Sequence, residues 1–144
     1  MLPVSVTLDT VNSSNIDRVK VVLASVLPVS YPPSFYRDMV QGKVSACVAT
    51  LKDRTVGCVA WTCEAGVVNI LALGVLATHR ERGVATLLLE RCLEGATGAY
   101  LHVQTGNNEA VQFYTKREFT VTQTVDGYYK RVACTQAYKM ELTR

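Results

Sequence analysis

Residues 67–76, VVNILALGVL, form an almost unbroken apolar run in which Asn69 is the only strongly polar side chain. A strand of that composition needs cover on both faces, which puts it in the middle of a sheet. Gly74 inside it marks a bulge or a place where another group comes close to the backbone. The run leads directly into THRERGVATLLLE, Thr78 to Glu90, where His79, Arg80, Arg82 and Gly83 precede a helical pattern carried by Val84, Leu87, Leu88, Cys92 and Leu93 and stopped by Gly95. A helix N-terminus already carries partial positive charge and prefers acidic neighbours, so these cations stand at the wrong end. An anion in the turn would resolve the conflict, because a strand, a glycine turn and the free N–H groups of a first helical turn make a phosphate cradle. The pattern Arg80-x-x-Gly83-x-Ala85 is neither a P-loop nor a dinucleotide fingerprint. By itself it also fits a solvated turn of a surface helix.

The rest of the chain supplies further elements around this unit. Val4 to Leu8 alternates as a strand does. Ile16, Val19, Leu23, Val26 and Leu27 then follow at helical spacing, with Ser14 and Asp17 as a capping box and Pro28 as the stop. LPVSYP is an unusually apolar loop, and YPPSFYRDMVQG predicts a short helix ending at Gly42. VSACVATL and VGCVAWTC read as a hairpin joined by KDRT. After the basic turn and its helix come the strand AYLHVQ, the turn TGNN and the helix EAVQFYTKREF, with Asn107 or Asn108 as its cap. FTVTQTV and YYKRVACTQAYKM predict a last hairpin around Asp126 and Gly127. The expected order is β-α-α-β-β-β-α-β-α-β-β, an α/β chain of about seven strands in a mixed twisted sheet with four helices.

At 144 residues, 49% of them hydrophobic and 19% charged, the chain predicts one domain with one core, spanning 1–144. No segment approaches the ~20 apolar residues that cross a bilayer, and MLPVSVTLDT lacks the pattern of a secretory signal, so a cytoplasmic protein is expected. Cys47, Cys58, Cys63, Cys92 and Cys134 include no C-x-x-C pair, which predicts reduced thiols and no metal site. The net charge of +3 is scattered, and no nucleic-acid partner is expected.

Segments 27–39 (LPVSYPPSFYRDM), 70–90 (ILALGVLATHRERGVATLLLE), 100–119 (YLHVQTGNNEAVQFYTKREF) and 127–131 (GYYKR) together resemble the GNAT-family N-alpha-acetyltransferases, above all the NatE catalytic subunit and the related NatF. The first and last of these segments carry the N-terminal acetyltransferase likeness, whereas the cofactor motif is common to GNAT enzymes. The resemblance implies a single GNAT-type domain with acetyl-CoA as cosubstrate. It implies that backbone groups of Leu73 and Val75 pair with the pantetheine arm, an N–H near Leu73 polarising the thioester carbonyl. It further implies that N–H groups of Arg80, Glu81, Arg82, Gly83, Val84 and Ala85 hold the pyrophosphate, that Asn107 binds the cofactor, and that Tyr114 protonates the leaving thiolate. Read from its spacing to Val111, Tyr114 also fits core packing. Leu27, Pro28, Val29 and Tyr31 form one implied wall of a peptide pocket, and Tyr128 and Tyr129 form the other. The Leu71 carbonyl receives the amine.

The chain departs from the resembled pattern at one catalytic position. Those enzymes deprotonate the amine through water with a tyrosine on the central strand and a histidine on the next. His102 matches the histidine, but Asn69 stands at the tyrosine position. An amide holds a water but takes no proton near neutral pH. The demand on a base is light, since about a quarter of an α-amine is already neutral at pH 7.4, against roughly one part in a thousand of a lysine. The resemblance therefore implies direct acetyl transfer to protein N-termini, initiator Met followed by an apolar residue, biased away from lysines. It also implies docking on a larger ribosome-associated complex. The alternatives are a weak or inactive CoA-binding subunit, which Asn69 favours, and an acetyltransferase of lysines or small amines. NatF carries a membrane-binding extension; with the last strand close to Arg144, no such anchor is expected here.

Overall fold

The computed structural model describes residues 6–80 and 83–144, so Glu81 and Arg82 of the basic turn and Val4 and Ser5 of the first strand lie outside the described residues. The elements are β1 Val6–Thr10, α1 Ile16–Val26, α2 Pro33–Gln41, β2 Ser45–Leu51, β3 Arg54–Glu64, β4 Val67–Val75, α3 Val84–Cys92, β5 Gly98–Gln104, α4 Asn108–Lys116, β6 Thr120–Val125 and β7 Ala137–Thr143. A single 3-10 turn, Ala77–His79, joins β4 to the basic turn. This is the order read from the sequence. The strands form a seven-stranded sheet in the order β1-β2-β3-β4-β5-β7-β6, with the apolar run as its fourth and middle member. The described residues divide into two compact units, one containing β1 to Thr62 with Leu71–Glu94, the other Cys63–Ile70 with Gly95–Arg144.

In the first unit Val19 and Leu23 of α1, Tyr36 and Met39 of α2, Val48, Cys58, Ala60 and Ala72 pack into one apolar cluster. The start of α1 differs from the expected Ser14–Asp17 box. The Asn12 side chain accepts from the N–H groups of Ser14 (2.9 Å) and Asn15 (3.2 Å), and the Asn15 side chain accepts from the Asn12 N–H at 2.8 Å. These bonds close the turn that leads into α1, whose N-cap residue Asn15 makes no side-chain bond to the first helical turn. At the other end of α2, Gly42 takes φ 78 as the left-handed cap. The β2–β3 hairpin turns on Lys52 and Asp53, at φ 50 and 64, while Arg54 and Thr55 of the expected turn are already in β3.

Gly74 is explained by close approach. A Cβ there would lie 2.5 Å from Cγ2 of Val26, so the end of α1 rests directly on the strand backbone. The expected cover is complete on one face of β4 and partial on the other, where Leu71 packs against the apolar cluster and Val75 is buried. Val68, Ile70 and Ala72 are buried, whereas Asn69, Leu71 and Leu73 are half-buried, because a strand's alternate side chains point to opposite faces.

In the second unit the first part of β4 runs parallel to β5, with Asn69 opposite Tyr100 and Ile70 opposite Leu101. Strand β5 also pairs antiparallel with β7, setting His102 opposite Lys139 and Tyr100 opposite Glu141. The last hairpin is shorter than expected. Pairing of β6 with β7 begins only at Val125 and Ala137, so residues 126–136, which include YYKRVACTQ, form a loop and not a strand. Gly127 at φ 65 and Arg131 at φ 60 break the extended path. Gln136 Nε2 donates to Asp126 Oδ1 at 2.7 Å and the Tyr129 N–H to the Thr135 carbonyl at 3.0 Å, closing the loop on itself.

Candidate active site

Among the expected site residues of the first unit, Leu71 and Val75 present backbone carbonyls. Leu71 offers a carbonyl to which the Tyr31 hydroxyl donates at 3.1 Å, and the Tyr31 ring stacks on Phe35 at 4.5 Å. The apolar loop is thereby tied to β4. Leu27 packs against the apolar cluster, Val29 is half-buried and Pro28 exposed. Leu73 is half-buried on the same row as Leu71, and the Val75 carbonyl accepts from Arg80 Nε at 3.3 Å. Arg80 is therefore folded back on the strand end it follows.

Gly83 caps α3 at φ 80, a conformation that favours glycine, and no side chain caps the helix. No acid occupies its first turn. The helix's own bonding starts with the Leu87 N–H on the Gly83 carbonyl at 3.0 Å, so the preceding N–H groups, including Val84 and Ala85, point out of the helix end. That is an anion-binding terminus.

The second unit brings side chains together. His102 is half-buried, with Tyr128 stacked on its ring at 4.2 Å and 10° and the Tyr100 ring edge-on at 6.3 Å. Tyr129 donates its hydroxyl to the His102 carbonyl at 3.0 Å, so both tyrosines of the loop hold this residue. Burial, with the Lys139 ammonium as a second cause, keeps the His102 pKa below its ordinary value, which favours the neutral, proton-accepting ring. Burial also raises Tyr128, helped by Tyr100, and pushes Tyr129 up to about 12, helped by Tyr128 and Cys134. Lys139 Nζ stands 4.9 Å above the Tyr100 ring and 3.9 Å from a Glu141 oxygen.

Asn107 caps α4, its side-chain oxygen accepting the Ala110 N–H at 3.2 Å; its amide nitrogen remains a donor for a ligand. Tyr114 is buried at 7% exposure, edge-on to Phe113 and Phe119. Of the cysteines, Cys47, Cys58 and Cys92 are buried, and burial pushes the last two thiols up to about 12, out of nucleophilic range. Tyr100, Lys139 and Glu141 were not singled out from the sequence. Their signal was alternation: Tyr100 and His102 in YLHVQ, and Lys139 and Glu141 in YKMEL, each fall two apart and so on one face.

The acetyltransferase (GNAT) domain family matches residues 42–121. The chain belongs to the GNAT acetyltransferases. It is 32% identical to the Drosophila melanogaster protein called probable N-acetyltransferase san, across 96% of this chain and 81% of that one. It is also 32% identical to Danio rerio N-alpha-acetyltransferase 50, across 91% of this chain and 84% of the relative. Among solved structures, Arabidopsis thaliana Naa50 in complex with the bisubstrate analogue CoA-Ac-MVNAL superposes with a TM-score of 0.88 at 32% identity, over 98% of this chain and 100% of that one. This GNAT protein is an acetyl-CoA-dependent N-alpha-acetyltransferase of the NatE kind.

Proposed function

We propose that the protein acetylates the α-amine of an initiator methionine followed by an apolar residue. The observation that carries this reading is the tie between Tyr31 and the Leu71 carbonyl, which holds an apolar loop to the strand position where the amine is received. The 32% identical Naa50 structure, whose analogue joins CoA to a peptide written MVNAL, supports the same substrate class. Leu27, Pro28, Val29 and Tyr31 contact the first side chain, while Tyr128 and Tyr129 line the peptide. The Leu71 carbonyl orients the amine.

On this reading the cosubstrate is gripped by backbone. N–H groups of Gly83, Val84 and Ala85 take the pyrophosphate, the Leu73 N–H polarises the thioester carbonyl, Val75 pairs with the pantetheine and Asn107 donates its amide. Acetyl-CoA supplies the acetyl thioester, an acyl group activated for transfer. The Leu71 carbonyl aims the amine lone pair, His102 accepts the amine proton through water, and Tyr114 gives a proton to the departing sulfur. Neither step requires a thiol nucleophile. We further propose that the enzyme works in the cytoplasm and joins a larger ribosome-associated complex, which co-sedimentation with ribosomes tests.

Asn69 favours a second reading, a CoA-binding assembly subunit with little activity. CoA release from acetyl-CoA separates the two, measured with a Met-Leu peptide, a Ser-initiated peptide and an N-terminally blocked peptide with an internal lysine. Turnover confined to Met-Leu is expected. Bound CoA without turnover on any peptide would favour the assembly subunit, and an equal rate on the lysine peptide would remove the α-amine preference.

A further inference from the structure

The proton path needs a water held in place beside His102. Asn69, on β4, offers an amide that can hold a water but takes no proton. Its partner across the parallel pair is Tyr100, and in-register residues of adjacent strands project to the same face. His102 lies two residues further along β5 and therefore shares that face. The β7 register adds Glu141 opposite Tyr100 and Lys139 opposite His102. Five polar side chains from three strands thus project from one surface, and Tyr100 stands between Asn69 and His102 in it.

Of the two loop tyrosines at His102, one has its hydroxyl committed and the other covers a face of the ring. Tyr129 spends its proton on the His102 carbonyl. Tyr128 lies flat on the imidazole at 4.2 Å, covering a ring face, so a proton reaches His102 only at the edge where its nitrogens are. Tyr100 meets His102 edge-on, and its hydroxyl makes no hydrogen bond among the described residues. The Lys139 ammonium stands above the Tyr100 ring, with Glu141 beside it. A phenol so placed donates one hydrogen bond and accepts others, which is what is needed to fix the orientation of a bridging water.

We propose that Tyr100 is a positioning residue that orients the water carrying the amine proton to His102, supplying a hydroxyl from β5 opposite the amide of Asn69 on β4. The proton leaves the amine nitrogen for this water as the water gives one of its own to the imidazole, and Tyr100 ends the step unchanged. This deepens the N-acetyltransferase reading and rests on it.

Tyr100→Phe deletes one oxygen and keeps the ring beneath Lys139. With a Met-Leu peptide, kcat should fall about tenfold or more, while KM for peptide and for acetyl-CoA stays within about twofold and Tm is unchanged. The loss should be larger at pH 6.5 than at pH 9, where most of an α-amine, of pKa about 7.7 to 8.0, is already neutral. Adding Asn69→Tyr to Tyr100→Phe returns a phenol to the paired strand position and should recover most of kcat. Full kcat in Tyr100→Phe, a loss that tracks a lowered Tm, a loss independent of pH, or a double variant no faster than the single one each overturns the proposal. Wild-type protein that binds CoA but turns over no peptide overturns the enzymatic reading and this role with it. Wild-type turnover that Tyr100→Phe leaves intact removes the role of Tyr100 alone.

Discussion

The two compact units contribute different kinds of chemistry. The unit holding α1, α2 and α3 presents main chain: the Leu71 carbonyl, the strand end at Val75 and the uncapped N–H groups at Gly83. The unit holding β5 and β7 presents titratable and aromatic side chains: His102, Tyr128, Tyr129, Lys139 and Glu141. Main-chain groups cannot be exchanged by substitution, so the first unit is vulnerable through packing and backbone shape. The second is vulnerable atom by atom, through charge and proton affinity.

His102→Gln tests the contrast most strongly. It keeps a polar side chain of similar reach but takes no proton, so kcat should drop by ~10² or more with the Kd for acetyl-CoA within about twofold, measured by steady-state kinetics and titration calorimetry. A large loss of cofactor affinity would break the division of labour. Gly74→Ala comes next. Its Cβ would sit 2.5 Å from Val26, an overpacking expected to cost about 1–3 kcal/mol, seen as a lower Tm, with activity following the folded fraction. Undiminished stability would mean that α1 yields more easily than its packing suggests.

Lys139→Gln should have the smallest effect. His102 works as a base only when neutral, and both burial and Lys139 hold its pKa down. Removing the ammonium leaves the burial, so the pKa rises and the acid limb of the kcat/KM profile moves to higher pH. Above that limb the rate should change less than about twofold, since one charge at a half-exposed surface is well screened. An acid limb that stays put or moves to lower pH would show that Lys139 does not act on His102.

The element order was legible because it rests on local periodicity: VVNILALGVL, the Val84 helix and the EAVQFYTKREF helix carry their patterns within single segments. What was misread depended on contacts distant in sequence. YYKRVACTQ has strand composition, yet the Tyr129 hydroxyl bonds the His102 carbonyl and Gln104 Nε2 the Cys134 carbonyl at 2.8 Å, drawing the segment into a loop. Asp17 looked like a cap because the sequence does not show that Asn12 and Asn15 bond each other. Half of the candidate site was visible as motif. Tyr100 was not, because its interest lies in standing opposite Asn69 and Glu141, a matter of register across three strands.

The contact between Gly74 and Val26 has a consequence for how such a chain can diverge. The two positions compete for the same few cubic ångströms, so neither drifts alone. A lineage can gain a side chain at 74 only after shortening the one at 26, and the reverse order passes through an overcrowded intermediate. Read across descendants, that single approach of helix to strand would be recorded as paired change at two sites far apart in the chain.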